Sequence, residues 1–169
     1  ETHNFSDTDL LFYLIEKIGF NKTISKLRGM FAIIYYDLNQ KKIYTARDHF
    51  GQKPLWIYKN KDRIAFSSTI KALVNFFNTK LDFDNLLHFI SKQGKTCSTK
   101  SFFSAIEGQR AGEIKEIDSQ LNVKSYIYFD HSCLINSEIY KNNISNPIEN
   151  LDNAIHQTMR RHCDTESNL

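Results

Sequence analysis

The sequence feature that most restricts the fold is an unbroken apolar run over residues 30–36, which reads Met-Phe-Ala-Ile-Ile-Tyr-Tyr. β-Branched and aromatic residues of this kind favour a strand, and the polar segment at 37–40 that follows favours a turn. A second strand-like segment occupies residues 42–46, so the two segments predict a β-hairpin. Because the run contains no polar residue that would face water, we expect its strand to be buried on both faces.

Helix and strand patterns follow one another along the rest of the chain. Ser6 and Asp9 have the spacing of a capping box, and Gly19 supplies a stop, so a helix is predicted between them. Further helices are predicted at 22–27, 70–77 and 84–91, and further strands at 54–58, 63–67, 113–117 and 123–129. Helices combined with antiparallel hairpins predict an α+β fold.

Composition and charge exclude several classes of function. The 22 Lys and Arg residues exceed the 19 Asp and Glu residues only slightly and form no arginine-rich run, which argues against nucleic-acid binding. No apolar stretch approaches about 18 residues, so we expect no membrane span and a cytoplasmic location. Cys97, Cys133 and Cys163 lie far apart without zinc-ligand spacing. We therefore expect reduced thiols and no metal site.

A change in composition predicts a domain boundary. Residues 131–146 are polar and rich in Asn and Ser, as is typical of a linker. Pro147 then stands at a position typical of a helix start. The apolar residues that recur on one face of this helix are Ile148, Leu151, Ile155 and Met159. We predict one domain over residues 1–130, a linker over 131–146, and the first helix of a second domain over 147–169.

Four blocks carry a family resemblance. Residues 5–11, Phe-Ser-Asp-Thr-Asp-Leu-Leu, are similar to the S-D-T-E signature of class II glutamine amidotransferases. Residues 27–33 are similar to L-x-G-M-F-A-F, and residues 65–73 are similar to F-A-S-E-I-K-A-L. The most specific block is 46–55, Ala-Arg-Asp-His-Phe-Gly-Gln-Lys-Pro-Leu, which is similar to A-R-D-x-F-G-x-K-P-L. In order and spacing, the blocks resemble the glutamine-hydrolysing domain of asparagine synthetases.

The resemblance implies part of an N-terminal nucleophile hydrolase sandwich with αββα layers, followed by a linker helix that leads to a helical synthetase domain absent from this chain. In that family the first residue is a cysteine whose thiol attacks the glutamine amide and whose own α-amino group acts as the base. Glu1 stands first here, so the resemblance implies that this chain holds no catalytic residue and is inactive by itself.

One substrate-binding residue is implied by the resemblance. Asp7 matches the family aspartate that accepts the α-ammonium group of glutamine, and this charge-assisted bond would select an amino acid over a simple amide. From its position alone, Asp7 could equally stabilise the start of a helix through the helix dipole. Arg47 and Asp48 are interpreted as structural residues that fix a corner after a strand. Residues 109–112 replace a Pro-Pro-Gly turn of the family, so we expect this loop to be looser.

The resemblance further implies the function of the parent protein. Such a protein hydrolyses glutamine and uses the ammonia to convert aspartate to asparagine, with ATP and Mg²⁺ bound in the absent domain and no cofactor bound by this chain. Glutamine, aspartate and ATP are the implied partners, and a homodimer is compatible with them. Two alternatives stay open: an amidotransferase with another acceptor, from a surface-polysaccharide or antibiotic pathway, or a catalytically dead glutaminase-like binding module.

Overall fold

The computed structural model describes residues 6–92, 99–132 and 146–163. The chain divides into two compact units, Glu1–Phe129 and Asp130–Leu169. Several features singled out from the sequence lie outside the described residues, namely Glu1, Cys97, Cys133 and most of the predicted linker. The predicted domain boundaries therefore stay predictions.

The first helix, α1 (Asp7–Ile18), begins at the predicted capping box. Ser6 Oγ accepts a hydrogen bond from the Asp9 amide at 3.2 Å, and the Asp9 carboxylate accepts one from the Ser6 amide at 3.1 Å. Gly19 ends the helix with a positive φ of 85°, a conformation that glycine adopts without strain. The second helix, α2 (Phe20–Ile24), starts directly after it. It begins and ends earlier than predicted. Gly19 is both the C-cap of α1 and the N-cap of α2, so the second helix starts at the next residue.

The strands form two antiparallel sheets. The strands of the described residues are β1 (Ala32–Asp37), β2 (Lys42–Arg47), β3 (Trp56–Lys59), β4 (Ile64–Ser67), β5 (Ile106–Gly108), β6 (Glu113–Ile117) and β7 (Val123–Ile127). The first sheet has the order β1-β2-β6-β7, and the second has the order β4-β3-β5. The three hairpins predicted from the sequence are confirmed. Strand β5 was not predicted, because three residues that include a glycine give no recognisable strand pattern.

Two helices accompany the second sheet, and one belongs to the second unit. Helix α3 (Ile70–Phe76) follows β4, and helix α4 (Phe83–Ser91) is capped by the Asp82 side chain, which accepts from the Asn85 amide at 3.0 Å. In the second unit, helix α5 (Pro147–Cys163) begins at the predicted proline. Its stripe of Ile148, Leu151, Ile155 and Met159 is at least half exposed. The mixture of helices and antiparallel sheets confirms the α+β class, while the N-terminal nucleophile hydrolase sandwich stays a prediction.

The core of the first unit has two clusters. One cluster lies between α1, α2 and the first sheet, and its buried members are Ile15, Phe20, Ile24, Ala46 and Ile114. The other lies between α3 and the second sheet. There, the Tyr58 and Phe77 rings stack at a centroid distance of 4.0 Å, and Leu73 and Ile106 are almost fully buried. Each cluster contains only apolar side chains, so burial of hydrophobic area stabilises both.

The prediction that β1 is buried on both faces is wrong. Ile34 and Tyr36 are about half exposed, although Thr45, the partner of Ile34 in the sheet register, is fully buried. The physical reason is that β1 is an edge strand. Among the described strands β1 pairs with β2, and the face of β1 that carries Ile34 and Tyr36 is about half exposed.

Candidate functional site

The carboxylate of Asp7 lies at the first turn of α1. Asp7 is exposed, and the helix is capped by Ser6 and Asp9 rather than by Asp7. The side-chain and backbone hydrogen bonds from Ser6 lower the pKa of the Asp9 carboxyl. Because Ser6 and Asp9 satisfy the capping geometry, the Asp7 carboxylate is not required for it. Asp7 could therefore stabilise the start of the helix through the helix dipole and also bind a ligand, as the two interpretations from the sequence require.

Asp7 shares one side of α1 with residues that pack on the first sheet. Asp7, Leu11 and Ile15 recur every four residues and so lie on the same side of the helix, which packs its apolar residues on the first sheet. The other end of α1 lines a groove of about 550 Å³ together with Asn39 and Gln40, in the turn between β1 and β2. A helix of this length spans about 18 Å. Asp7 stands at the end of α1 that is away from this groove.

A corner segment at residues 48–53 follows the end of β2 at Arg47. Asp48 is fully buried, and its carboxylate accepts only backbone amides. These amide donors are Phe31 at 3.3 Å, Phe50 at 3.1 Å, Gln52 at 2.9 Å and Lys53 at 2.9 Å. The Asp48 amide in turn donates to the Phe31 carbonyl at 3.0 Å. One carboxylate thus holds together the corner and the start of β1.

The Arg47 side chain fixes the same corner from the other side. Its guanidinium donates to three backbone carbonyls: Lys53 at 2.8 Å, Gln109 at 2.6 Å and Gly51 at 2.6 Å. Gly51 has a φ of +66°, and a Cβ atom there would lie 3.1 Å from Arg47 Cζ. The structural interpretation of Arg47 and Asp48 is confirmed, because both side chains bind the backbone of the corner.

The pKa shifts of the ionisable side chains at the corner support a structural role for Arg47 and Asp48. Burial opposes ionisation of Asp48, but its backbone donors outweigh that effect and lower the pKa of the carboxyl. Burial lowers the pKa of Arg47, and the Asp48 charge opposes this shift. Burial and, secondly, the Asp48 charge raise the pKa of Tyr128, so its hydroxyl stays protonated. A carboxylate held ionised in this way is suited to anchoring a loop rather than to relaying protons.

The loop at 109–112 is tied to the neighbouring strands by hydrogen bonds of the Gln109 side chain, and the expectation that it is looser than the family's turn stays a prediction. Gln109 is fully buried and its side-chain oxygen accepts from Thr45 Oγ1 at 2.6 Å. Its side-chain nitrogen donates to the Glu113 carbonyl at 2.7 Å and to the Thr45 carbonyl at 3.3 Å. The buried amide of Gln109 therefore links this loop to β2 and β6. A glutamine between a glycine and an arginine gives no sequence signal of such burial.

Two absences apply to residues 6–92, 99–132 and 146–163. Within these ranges, no three or more His, Cys, Asp or Glu side chains are arranged to hold a metal ion. Across the same ranges, no helix is long and apolar enough to cross a membrane. Cys163 is exposed and forms no disulfide bond with another described residue.

Comparison with known proteins assigns this sequence to a family. A family model described as a glutamine amidotransferase domain matches residues 1–128. Asparagine synthetase (glutamine-hydrolyzing) 2 of Bacillus subtilis is 31% identical over 148 residues, covering 82% of this chain and 19% of that protein. Asparagine synthetase (glutamine-hydrolyzing) 1 of the same bacterium is 36% identical over 89 residues, covering 52% and 14%.

A mammalian relative gives a similar result. The asparagine synthetase (glutamine-hydrolyzing) of Bos taurus is 33% identical over 78 residues, covering 46% of this chain and 14% of that protein. This chain thus spans about a fifth or less of the length of these relatives. The family match includes the first turn of α1, the corner and the loop at 109–112. The chain therefore belongs to the glutamine amidotransferase domain family, in the form that this domain takes in asparagine synthetases.

Proposed function

We propose that this chain is part of a glutamine-hydrolysing unit that supplies ammonia for the ATP-dependent amidation of aspartate to asparagine. Membership of the amidotransferase family supports the hydrolysis of glutamine for amidation. Aspartate as acceptor, and ATP with Mg²⁺ in a further domain, are proposed from the names of the relatives and from the chemistry of the ligation. A cytoplasmic location and a homodimer stay predictions.

The observation that carries the proposal for this chain is the carboxylate of Asp7. It is exposed, it is not needed for the capping box, and it lies in the block that resembles the family signature. A carboxylate there would bind the α-ammonium group of glutamine by a charge-assisted hydrogen bond. The hydrolysis also requires a thiol nucleophile with a free α-amino group. The three cysteines of this chain are all internal and cannot provide one by themselves.

The test uses the natural gene product that contains these residues. Asparagine formation is measured with glutamine and, separately, with ammonium salts as the nitrogen source. Asp7→Asn should raise the KM for glutamine by roughly 10- to 150-fold, which corresponds to the loss of a hydrogen bond to a charged group. Ammonia-dependent synthesis should not change, because it does not use the glutamine site.

A matched control separates the site from general charge effects. Asp84 is an exposed aspartate in the first turn of α4, so Asp84→Asn removes the same charge at another helix start. This variant should keep the KM for glutamine. The assignment of Asp7 is refuted if Asp7→Asn leaves that KM unchanged. An unmodified protein that consumes glutamine and ATP but amidates a different acceptor would refute aspartate as the substrate.

A further inference from the structure

A cleft of about 700 Å³ lies between the two sheets of the first unit. Residues of β3 and β5 line it from one sheet, and residues of β6 and β7 line it from the other. The turn between β3 and β4 and the turn between β6 and β7 also contribute to its walls. Two of its lining side chains, Ile57 and Ile117, are buried. Small-molecule sites in proteins have volumes of about 300–1,000 Å³, so the cleft has room for one small organic molecule.

Charged side chains stand on the sheet faces that line the cleft. On β3, Ile57 and Lys59 are two positions apart and therefore share a face, and Glu107 is the register partner of Ile57. On β6, Lys115 and Ile117 share a face in the same way. Packed sheet faces normally carry apolar side chains. Charged residues at such positions of both sheets therefore indicate a polar site rather than an unfilled part of the core.

The cleft carries an excess of positive charge. Lys59, Lys61 and Lys115 line it, and Glu107 is the one carboxylate among its described lining residues. Lys115 has a partner of its own, because its Nζ atom lies 3.4 Å from Glu113 Oε1. Within the described ranges, Lys59 and Lys61 form no ion pair. Two ammonium groups at the cleft are thus available to an anion, with which each can form charge-assisted hydrogen bonds.

Two lining residues have a backbone conformation that is rare for residues with a side chain. Leu121 has a φ of 62°, and Ala105 has a φ of 71°. A bulky residue at positive φ is an outlier, since glycine and asparagine adopt this conformation most readily. The Leu121 amide donates to the Asp118 carbonyl at 3.0 Å, which holds the turn in this form. Backbone strain of this kind is concentrated at functional positions such as ligand sites.

We propose that this cleft binds a small organic anion, namely a flat apolar body that carries one carboxylate or phosphate group. The ammonium groups of Lys59 and Lys61 bind the anionic group. The apolar body packs on Ile57, Ile117 and Leu121, between the two sheets. The strained turn then has a purpose, because it holds an apolar side chain against the ligand. The site is independent of the proposed function, since glutamine hydrolysis is not needed for it.

The experiment titrates the natural gene product with phenyl phosphate and, separately, with benzoate in a calorimeter. Benzamide is the control without charge, and inorganic phosphate is the control without an apolar body. Hydrogen exchange locates each bound probe. The tighter-binding anion should slow exchange over residues 56–67 and 113–127, and its identity distinguishes a phosphate from a carboxylate ligand. Both controls should bind at least about 10-fold more weakly, because each lacks one half of the recognition.

Variants then assign the binding to this cleft. The double variant Lys59→Gln/Lys61→Gln should weaken binding of the anion by about 10-fold or more. Lys80→Gln/Lys124→Gln removes the same charge at exposed positions that do not line the cleft, and it should leave the affinity unchanged. Leu121→Gly should weaken binding by about 3-fold or more without lowering the melting temperature, because it removes an apolar contact and relieves the strain together.

Three results would overturn the proposal. The first is that neither anion binds at millimolar concentration, and the second is that the bound anion slows exchange only outside residues 56–67 and 113–127. The third is that the two double variants weaken binding equally, which would reduce the effect to net charge. These readouts measure binding alone, so failure of the proposed function, seen as an unmodified protein that releases no glutamate from glutamine, is recognised separately.

Discussion

The Asp48 carboxylate gives the sharpest test of how the corner is stabilised. Asp48→Asn keeps the shape of the side chain but replaces one carboxylate oxygen by an NH₂ group. Because each oxygen accepts two backbone amides in part-buried hydrogen bonds, two of these donors lose their acceptor. An unsatisfied buried donor costs about 1–3 kcal/mol, so we expect the free energy of unfolding to fall by about 3 kcal/mol.

The assay combines global and local measurements. Thermal unfolding should show a melting temperature lower by about 8–15 °C for a domain of this size. Hydrogen exchange should show the largest loss of protection at the amides that bind the carboxylate, such as Phe31 and Lys53. Asp118→Asn is the matched control, because the Asp118 carboxylate also accepts two backbone amides, from Gln120 and Asn122, but in an exposed turn. Its effect should be much smaller.

The stabilisation by the Asp48 carboxylate should depend on pH in a defined direction. The pKa of Asp48 lies below its ordinary value of 3.8, since the backbone donors outweigh the effect of burial. The stabilisation is therefore fully present above the unfolded-state pKa and is lost as the pH falls through the folded-state pKa. The difference in stability between the unmodified protein and Asp48→Asn should shrink below about pH 4. A difference below about 1 kcal/mol at pH 7, or one that grows on acidification, would refute the reasoning.

Further predictions concern the sheet interface, the helix cap and the exposed strand. Thr45→Val and Gln109→Leu should each cost about 1–3 kcal/mol, whereas the double variant should cost less than their sum in urea unfolding, because the Thr45 hydroxyl and its acceptor oxygen on Gln109 are then removed together. Ser6→Ala should destabilise the protein by about 1 kcal/mol and leave the charge of Asp7 in place, so thermal melting should change more than the KM for glutamine. The chain expressed alone should aggregate, and replacing Ile34 and Tyr36 by threonine should increase its monomer fraction in size-exclusion chromatography.

Local patterns predicted most of the elements correctly. The capping box at Ser6 and Asp9, the hairpin turns and the proline at the start of α5 are short-range signals, and each is decided by residues within a few positions. The same is true of the family blocks, which identified the amidotransferase domain without any structure. Asp7 was located through such a block, and its role as a ligand stays a prediction.

Long-range contacts explain what the sequence could not predict. The burial of Gln109 depends on Thr45, which lies 64 positions earlier in the chain. The hydrogen bond from the Tyr128 hydroxyl to the Arg47 carbonyl spans 81 positions. Neither residue type indicates burial by itself, because glutamine is mostly exposed in proteins and tyrosine is intermediate. Pairings of this kind form only when segments that are distant in the sequence come together in the fold.

The exposed face of β1 also depends on long-range contacts. It explains why the apolar run at residues 30–36 led to a wrong prediction of burial on both faces. The first sheet has four strands and the second has three. At one flank Ile34 is exposed beside its buried partner Thr45, and at the other flank Val123 is exposed beside its buried partner Ile117. Both edge strands of the described part of the first sheet are therefore less covered than the strands inside it. An apolar run is typical of a strand that is covered on both faces, but the elements that pack on the strand decide whether it has that cover.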